Sequence, residues 1–426
     1  MGWDQGPYPA LDDVVERIAI DDAARTIEEQ QIQCVYALFQ VYDESSWAPA
    51  ADGVDVAVWT LLRALLDERA RGRVDVPFVF HWGFDVHTLD GAVVRALDGH
   101  VFCNQELSTF WRTPETEGGC GLDLWDDDAV TTTLDGDRPK LEFMGDDFAA
   151  PLSARTGEIH TVCVGRPINI DVRALVARRI HLHVYGNGID DVAVMLAADA
   201  LRPGATGDLR HIHEFVHVHP SRQPVATSWE AVRAAKSQWV REFSQYDAGW
   251  SYIGVPYPWK PLEDRAAIPN RLSTYLLAGL PVITDRRPGF FRYDELARLG
   301  VGIELVDGDY DALAERLATE VVHRERRDRA RAARHAYSFD SSIESLVGTL
   351  EQVRRQYLQQ PIAARRQTLA DDGRPLIRLA WNSSGTSTPP MVRRVASRLR
   401  AETIGRVRDR RVQRLARELV ARSSTP

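Results

Sequence analysis

The second half of the chain alternates short apolar runs with stretches of helical spacing. The apolar runs predict strands, and the stretches between them predict crossover helices. The predicted strands are 161–164, 180–185, 215–219, 247–253, 281–284 and 301–306, and the predicted helices are 171–179, 190–201, 229–243, 270–278, 310–319 and 341–357. This alternation is typical of a parallel sheet covered by helices. The second half therefore predicts a complete doubly wound α/β domain.

The first half shows the same alternation with fewer elements. Strands are predicted at 32–39, 77–81, 100–103 and 141–144. The clearest helix is predicted at 56–69, where Val56, Leu62 and Leu66 fall on one apolar face. We predict a second Rossmann-like domain here that is small or incomplete.

Together these patterns predict an α/β chain with two Rossmann-like domains and a basic helical tail. The predicted parts are an N-terminal domain at 1–150, a second domain at 151–358, a flexible linker at 359–390 and an arginine-rich tail at 391–426. The length of 426 residues suits two domains, because one domain typically holds about 150 residues.

The composition favours a soluble, globular protein, with 44% hydrophobic and 27% charged residues. No run of about 18 apolar residues is present that would span a bilayer. The four cysteines are scattered, without a close pair for zinc or redox chemistry, and no apolar signal core follows Met1. The sequence therefore predicts a cytoplasmic protein.

The net charge of −9 is unevenly distributed along the chain. The tail holds eleven arginines against three acidic residues, a balance of +8, which leaves −17 for the rest. An acidic body without a basic stripe argues against nucleic acid as a partner. The tail predicts either peripheral docking on anionic lipid at the inner face of the membrane, or an amphipathic helix that packs on the acidic body.

The most informative stretch is 267–283, which reads AIPNRLSTYLLAGLPVI. It predicts a loop, a helix with Asn270 in its first turn, and then a buried strand. The free N–H groups at a helix N-terminus favour an anion. Arg271 adds a guanidinium that can bind a diphosphate through two hydrogen bonds.

This stretch resembles the P-x-K-x-x-E-Y-L-A-x-G-x-P-V-I segment of GT-B glycosyltransferases, particularly the retaining family 4 type. The matching residues are Pro269, Tyr275, Gly279, Pro281, Val282 and Ile283. Arg271 falls where that family has its diphosphate-binding lysine. Thr274 falls where the family has a glutamate that holds the ribose hydroxyls, so a hydroxyl replaces a carboxylate. The resemblance implies a GT-B fold and a donor site that includes Asn270, Arg271, Thr274 and Tyr275.

Three further segments precede this stretch in the chain. They occur in the same order as in the family, each at the end of a predicted strand. VCVGR, ending at Arg166, resembles the first donor-domain strand, where the glycine lets the backbone approach the phosphates and the arginine neutralises them. VYGNG, ending at Gly188, resembles the end of the second strand. His219 is the last residue of the third predicted strand, whose end is expected to face the nucleobase. Ligands of open α/β sheets bind at such strand ends. The donor-binding residues that the resemblance adds are Gly165, Arg166, Gly186, Gly188 and His219.

In the first half, His81 and Asp85 follow a predicted strand. The family often has a histidine at this place, near the donor sugar and the acceptor. The resemblance implies that His81 hydrogen-bonds the transferred sugar, and that Asp85 serves as a base or orients the acceptor hydroxyl. A histidine at a strand end is also a common structural group, so a purely structural role stays open.

No metal site and no cofactor is expected, because the nucleotide sugar is a substrate. Four histidines share one parity, so an extended strand would place them on one face, a pattern that also suits a metal site. These are His211, His213, His217 and His219. No carboxylate or cysteine constellation accompanies them, and we interpret them as residues of a strand end that suits base stacking.

The predicted function is transfer of a hexose from a nucleoside diphosphate sugar to a hydroxyl acceptor, in cell-envelope or polysaccharide glycosylation. A lipid-linked acceptor would suit a tail that docks on lipid. Retention of anomeric configuration follows from the resemblance alone. Two alternatives stay open: a nucleotide-sugar epimerase on the same fold, and a catalytically silent GT-B protein that acts as an interaction subunit. The missing carboxylate at Thr274 is compatible with the silent protein.

Overall fold

The structure of the chain is a computed structural model. It describes residues 22–38, 54–82, 88–102, 120–121, 130–135, 138–143, 147–165, 170–186, 211–220, 238, 240–252, 271–288, 290–334, 339–369, 377–378 and 414. Contacts divide these residues into two compact units. The first unit combines the described residues up to 121 with those from 339 to 378, and the second combines those from 130 to 334.

The described residues of the first unit up to 121 form three helices and five strands. The helices are α1 (Ala23–Glu29), α2 (Val54–Ala70) and α3 (Gly91–Ala96). The strands are β1 (Val35–Leu38), β2 (Phe78–Trp82), β3 (Thr88–Leu89), β4 (Gly99–Phe102) and β5 (Cys120–Gly121). Four of the strands form a parallel sheet in the order β1-β2-β4-β5.

The core of the first unit lies between α2 and this sheet. Trp59 and Leu62 of α2 pack with Phe78 and Phe80 of β2, and the two aromatic rings of Trp59 and Phe80 stack 4.8 Å apart. All five residues of β2 are buried, which fits a central strand of a parallel sheet covered on both faces.

The second unit contains a two-stranded hairpin and a six-stranded parallel sheet. The hairpin pairs β6 (Val130–Asp135) with β7 (Arg138–Phe143) in antiparallel fashion. The sheet strands are β8 (Ile159–Val164), β9 (Ile180–Gly186), β10 (Val216–Pro220), β11 (Ala248–Trp250), β12 (Val282–Asp285) and β13 (Gly302–Leu305). Their order is β10-β9-β8-β11-β12-β13, which is the 3-2-1-4-5-6 order of a doubly wound nucleotide-binding sheet.

In the described part of this unit, helices lie between the strands and after the last of them. They are α4 (Ser153–Thr156), α5 (Val172–Ala177), α6 (Ile212–Phe215), α7 (Arg271–Leu277), α8 (Phe291–Leu299), α9 (Tyr310–His323) and α10 (Glu325–Ala333). One face of the sheet is apolar: Leu182 and Val184 of β9 pack with Leu175 of α5 and with Leu313 and Leu317 of α9. Parallel strands joined by helices in both units confirm the predicted α/β fold.

The chain then returns to the first unit. Helix α11 (Phe339–Gln359) packs Leu346 and Val353 against Val79 and Val101 of the first sheet. The hydroxyl of Tyr357 donates to Asp75 over 2.8 Å. The sequence pattern assigns residues 339–358 to the second domain, whereas the structure places them in the first unit. The two differ because helical spacing does not indicate which sheet a helix covers.

The segment predicted as a flexible linker also contains regular structure. It includes α12 (Ile362–Arg365) and β14 (Ile377–Arg378), which pairs antiparallel with β3. The guanidinium of Arg365 contacts both carboxylate oxygens of Asp75, at 2.8 and 2.9 Å. These residues are therefore ordered, whereas the sequence predicts a flexible linker. The prediction rests on composition, which does not indicate contacts with distant residues.

In the described part of the chain, no helix combines the length and the apolar character needed to cross a bilayer. The tail at 391–426 lies outside the described residues except for Arg414, which is helical. Its docking on lipid stays a prediction.

Candidate functional site

The order of strands in the second sheet reverses between β8 and β11. Open α/β sheets bind ligands outside the carboxyl ends of the strands at such a switch point. Direct pairing between the two strands ends at Val162 and Gly249. Beyond it, the hydroxyl of Tyr275 accepts from the N–H of Val164 over 2.9 Å and donates to the C=O of Trp250 over 3.1 Å. Tyr275 therefore joins the two strands at their carboxyl ends.

Gly165 and Arg271 lie at the same end of β8. Gly165 follows the strand with a φ of 78°, a left-handed conformation that favours glycine. Its N–H donates to the C=O of Tyr185 over 2.5 Å. Arg271 is the first residue of α7, and its Nη1 lies 3.6 Å from Sγ of Cys163. The structure thus brings the predicted Gly165 and Arg271 together at the switch point.

Some of the other predicted site residues lie on α7, and the rest lie outside the described residues. Thr274 lies three residues after Arg271 on α7 and is partly exposed, so both side chains lie on one side of the helix. Tyr275 is fully buried and contacts the strands instead. Arg166, Gly188 and Asn270 lie outside the described residues.

The predicted residues Gly186 and His219 lie on neighbouring strands. Gly186 ends β9 opposite Pro220 of β10. The ring of His219 stacks on that of Tyr185 with 4.3 Å between their centroids. His219 is half-buried, and it is part of a larger group of histidines.

Five histidines share one face of β8, β9 and β10, and we call this group the histidine face. Its members are His160, His181, His183, His217 and His219. One row of contacts runs diagonally across the three strands. Nε2 of His219 lies 3.0 Å from Nδ1 of His183, and Nε2 of His183 lies 3.0 Å from Nδ1 of His160. The row ends 2.9 Å further on, at the hydroxyl of Thr156.

A second row of the histidine face ends on a carboxylate. Nε2 of His181 donates to Glu158 over 2.6 Å, and Nδ1 of His181 lies 2.9 Å from Nε2 of His217. A carboxylate only accepts hydrogen bonds, so His181 carries a proton on Nε2. In the neutral state its Nδ1 then accepts from His217.

Burial keeps three members of the histidine face, His160, His183 and His217, neutral near pH 7. Burial is the main cause that lowers the pKa of His160 and of His217 to about 4, and His181 contributes to the lowering in both. Burial also lowers the pKa of His183 well below its ordinary value. His160, His183 and His217 therefore take part in these rows as neutral imidazoles that each donate and accept.

The four histidines of like parity do not lie on one extended strand. Residues 212–215 form α6, and β10 begins at Val216. His211 contacts Glu214 at 2.8 Å instead. Within the described ranges, no group of three or more His, Cys, Asp or Glu residues is arranged to hold a metal ion. The H-x-H spacing at 181–183 and 217–219 was the sequence signal for the histidine face.

In the first unit, His81 lies on β2 and is 9% exposed. Its Nδ1 lies 2.5 Å from the hydroxyl of Tyr36 on β1. Burial lowers the pKa of His81 to about 4, so the imidazole is neutral near pH 7. When Tyr36 donates to Nδ1, the proton is on Nε2, which can then donate to another group. Asp85 lies outside the described residues.

Comparisons with known proteins found similarity in structure alone. No model of a protein family matches the chain, and no curated protein matches it. Among solved structures, HepE from Anabaena in complex with UDP is similar at 13% identity and a TM-score of 0.43, over 78% of this chain and 82% of that chain.

Two further similar structures are glycosyltransferases by name. WaaG, a glycosyltransferase involved in lipopolysaccharide biosynthesis, has 14% identity and a TM-score of 0.35, over 79% of this chain and 94% of that chain. The spinosyn rhamnosyltransferase SpnG, complexed with thymidine diphosphate, has 11% identity and a TM-score of 0.34, over 77% and 76%.

Proposed function

We propose that this chain is a glycosyltransferase of the GT-B type, which moves a hexose from a nucleoside diphosphate sugar to a hydroxyl acceptor. The observation that carries the proposal is the position of Arg271 at the carboxyl end of β8, beside the switch point of a 3-2-1-4-5-6 sheet. Sheets of this order bind nucleotides at that edge. A guanidinium there suits a diphosphate, which it binds by charge-assisted hydrogen bonds. The sheet and the guanidinium suit any nucleoside diphosphate. The resemblance of the surrounding motif to GT-B glycosyltransferases is the reason why we propose a nucleotide sugar.

The chemistry follows from the charge of the leaving group. Transfer breaks the bond between the anomeric carbon and a diphosphate oxygen, so negative charge develops on the departing diphosphate. Arg271 and Arg166 stabilise that charge without a metal ion or another cofactor. Gly165 lets the backbone approach the phosphates, and the hydroxyl of Thr274 hydrogen-bonds the ribose. Gly186, Gly188, His219 and Asn270 complete the proposed donor site.

The first unit supplies the groups for the transferred sugar and the acceptor. His81 is neutral, and with Tyr36 donating to Nδ1 its Nε2–H donates to a sugar hydroxyl. Asp85 accepts the proton of the acceptor hydroxyl or orients it. The transfer retains the anomeric configuration, as the family resemblance implies.

The wider setting of the proposal is cell-envelope or polysaccharide glycosylation in the cytoplasm. The arginine-rich tail would place the protein at the inner face of the membrane, where each basic residue near anionic lipid adds about 1 kcal/mol. A lipid-linked hydroxyl acceptor fits that location.

Nucleotide binding is the first test. We expect one of UDP, GDP and dTDP, or its glucose, mannose or N-acetylglucosamine conjugate, to raise the melting temperature of the protein. The rise should persist in EDTA and be lost in Arg271→Ala, because the variant lacks the guanidinium at the diphosphate. Arg298→Ala is the matched control, since Arg298 lies on α8 of the same unit with its side chain 65% exposed.

The outcomes separate the alternatives. If no nucleotide shifts the melting temperature, the transferase proposal fails and the silent interaction subunit is the better account. If a nucleotide sugar binds, NMR of the bound donor distinguishes the reactions. A transferase releases the nucleoside diphosphate, whereas an epimerase yields a second nucleotide sugar.

A further inference from the structure

Tyr275 is buried at the switch point, where its hydroxyl occupies a position between two strands. The side chain is 0% exposed. Burial raises the pKa of the hydroxyl, which keeps it protonated and able to both donate and accept. The ring packs flat on β11, because Gly249 carries no side chain. A Cβ at Gly249 would lie 2.5 Å from Cγ of Tyr275, so the sequence provides the space that this ring needs.

The hydroxyl satisfies two backbone groups that the strands leave unpaired. Val164 and Trp250 lie beyond the last directly paired residues of β8 and β11. The N–H of Val164 donates to the Tyr275 hydroxyl, which in turn donates to the C=O of Trp250. An unpaired buried backbone group is costly. Without the hydroxyl, the two strand ends would therefore separate, rotate or take up water.

The same helix holds the diphosphate-binding arginine against the same strand. Arg271 lies four residues before Tyr275, so the two side chains lie one above the other on α7. Arg271 contacts Cys163, and Tyr275 contacts Val164, the next residue of β8. Gly165 then begins the turn, with its own N–H held by Tyr185. Three consecutive residues of β8 and its turn are thus fixed from two directions.

We infer that Tyr275 is a positioning residue for phosphate binding. Its hydroxyl holds the turn at Gly165 at a fixed distance from the guanidinium of Arg271, and so sets the spacing of the groups that bind the diphosphate. This inference rests on the proposed function. It assigns Tyr275 an action through the backbone of Val164 and through Arg271, without contact between its side chain and the ligand.

The test removes the hydroxyl and keeps the ring, in Tyr275→Phe. We expect the dissociation constant for the preferred nucleoside diphosphate to rise about tenfold, because small displacements of binding groups cost that much or more. The constant for the corresponding nucleoside, which lacks phosphates, should change little. Calorimetric titration of both ligands measures the difference.

The matched control is Tyr310→Phe in the same unit. The hydroxyl of Tyr310 also accepts from a backbone N–H, that of Asp171 at 2.8 Å, and its side chain is 5% exposed. We expect this variant to lose thermal stability while its dissociation constant for the nucleoside diphosphate stays unchanged. Equal losses of diphosphate affinity in the two variants would reduce Tyr275 to a structural role and overturn the inference.

A double-mutant cycle tests the link to Arg271. If Tyr275 acts by spacing the guanidinium of Arg271 from the turn, Tyr275→Phe should cost less affinity in an Arg271→Lys background, which keeps the charge but lacks the guanidinium. Additive losses would contradict the link.

Hydrogen–deuterium exchange on the unaltered protein keeps the inference testable if Tyr275→Phe does not fold. The amide of Val164 should exchange slowly, and fast exchange there would overturn the geometry. If the unaltered protein binds no nucleoside diphosphate, the proposed function and the inference fail together. If it binds and Tyr275→Phe binds equally well, only the inference fails.

Discussion

Tyr36 and His81 show how one tyrosine hydroxyl decides where the proton of a neighbouring imidazole lies. A neutral imidazole has one nitrogen that donates and one that accepts. The contact between the Tyr36 hydroxyl and Nδ1 of His81 makes Nε2 the donating nitrogen when the tyrosine donates. Because burial holds the pKa of His81 at about 4, this arrangement persists across the neutral range. His81 then acts as a neutral donor, not as a cation.

Tyr36→Phe should impair sugar recognition more than nucleotide binding. Without the hydroxyl, His81 can carry its proton on either ring nitrogen. In part of the molecules Nε2 would then be an acceptor and could not donate to the sugar hydroxyl. We expect turnover to fall about tenfold, the effect of about one hydrogen bond, with unchanged affinity for the nucleoside diphosphate. Steady-state kinetics and titration with the nucleotide check both parts. Equal turnover in the variant would remove Tyr36 from the proposed mechanism.

The sequence indicated the positions of some site residues but not their contacts with other strands. Arg271 and Gly165 lie at the same end of β8, and their binding of a donor stays a prediction. The position of Tyr275 was predicted, but its two backbone partners were not, since they belong to distant strands. The histidine face depends on the register of β8, β9 and β10, which side-chain alternation within each strand does not specify.

At the element scale, α11 is the clearest example of a helix whose partner lies far away in the chain. Its buried positions, Leu346 and Val353, cover Val79 and Val101 of the first sheet. The close approach at Gly99 adds to this packing, because a Cβ there would lie 2.7 Å from Cγ2 of Val353. The helix therefore acts as part of the first unit's core.

Val353→Ala should destabilise the protein by about 2 kcal/mol, the cost of two buried methyl groups and the cavity that they leave. Val347→Ala is the matched control on the same helix, because Val347 is 45% exposed and Val353 is 8% exposed. The control should change the free energy of unfolding by less than about 0.5 kcal/mol. Urea denaturation measures both values, and equal effects would contradict the packing of α11.

The elements themselves were largely predictable. Apolar runs indicated β8, β9, β12 and β13 to within a few residues, because buried parallel strands need continuous apolar sequence. The predicted strand at 141–144 corresponds to part of β7, which belongs to an antiparallel hairpin. The partners of α11 and β14 could not be predicted, since they depend on contacts with strands more than 200 residues earlier.

At the scale of the whole molecule, the histidine face links stability to pH. His160, His183 and His217 have a lowered pKa in the folded state, against an ordinary value near 6.5. Below that value the unfolded chain binds more protons than the folded chain. Stability is therefore fully present above pH 6.5 and is lost as the pH falls towards 4.

Replacing one of these histidines should flatten that pH dependence. Each histidine kept neutral contributes a slope that approaches about 1.4 kcal/mol per pH unit. In His183→Gln, the unfolding free energy between pH 6.5 and 5 should vary less steeply with pH by up to that amount. Urea titrations at several pH values measure the slope, with His323→Gln, an exposed histidine of α9, as the matched control. An unchanged slope in His183→Gln would contradict this account.

The return of α11 to the first unit has a consequence for the order of synthesis. A ribosome delivers the chain from its N-terminus, and domains tend to fold as they emerge. The strands of the first sheet leave the ribosome early, but the helix that covers Val79 and Val101 follows only after every strand of the second sheet. The second sheet can thus be completed while an apolar face of the first still awaits its helix. The unit that is made first is the last to be finished.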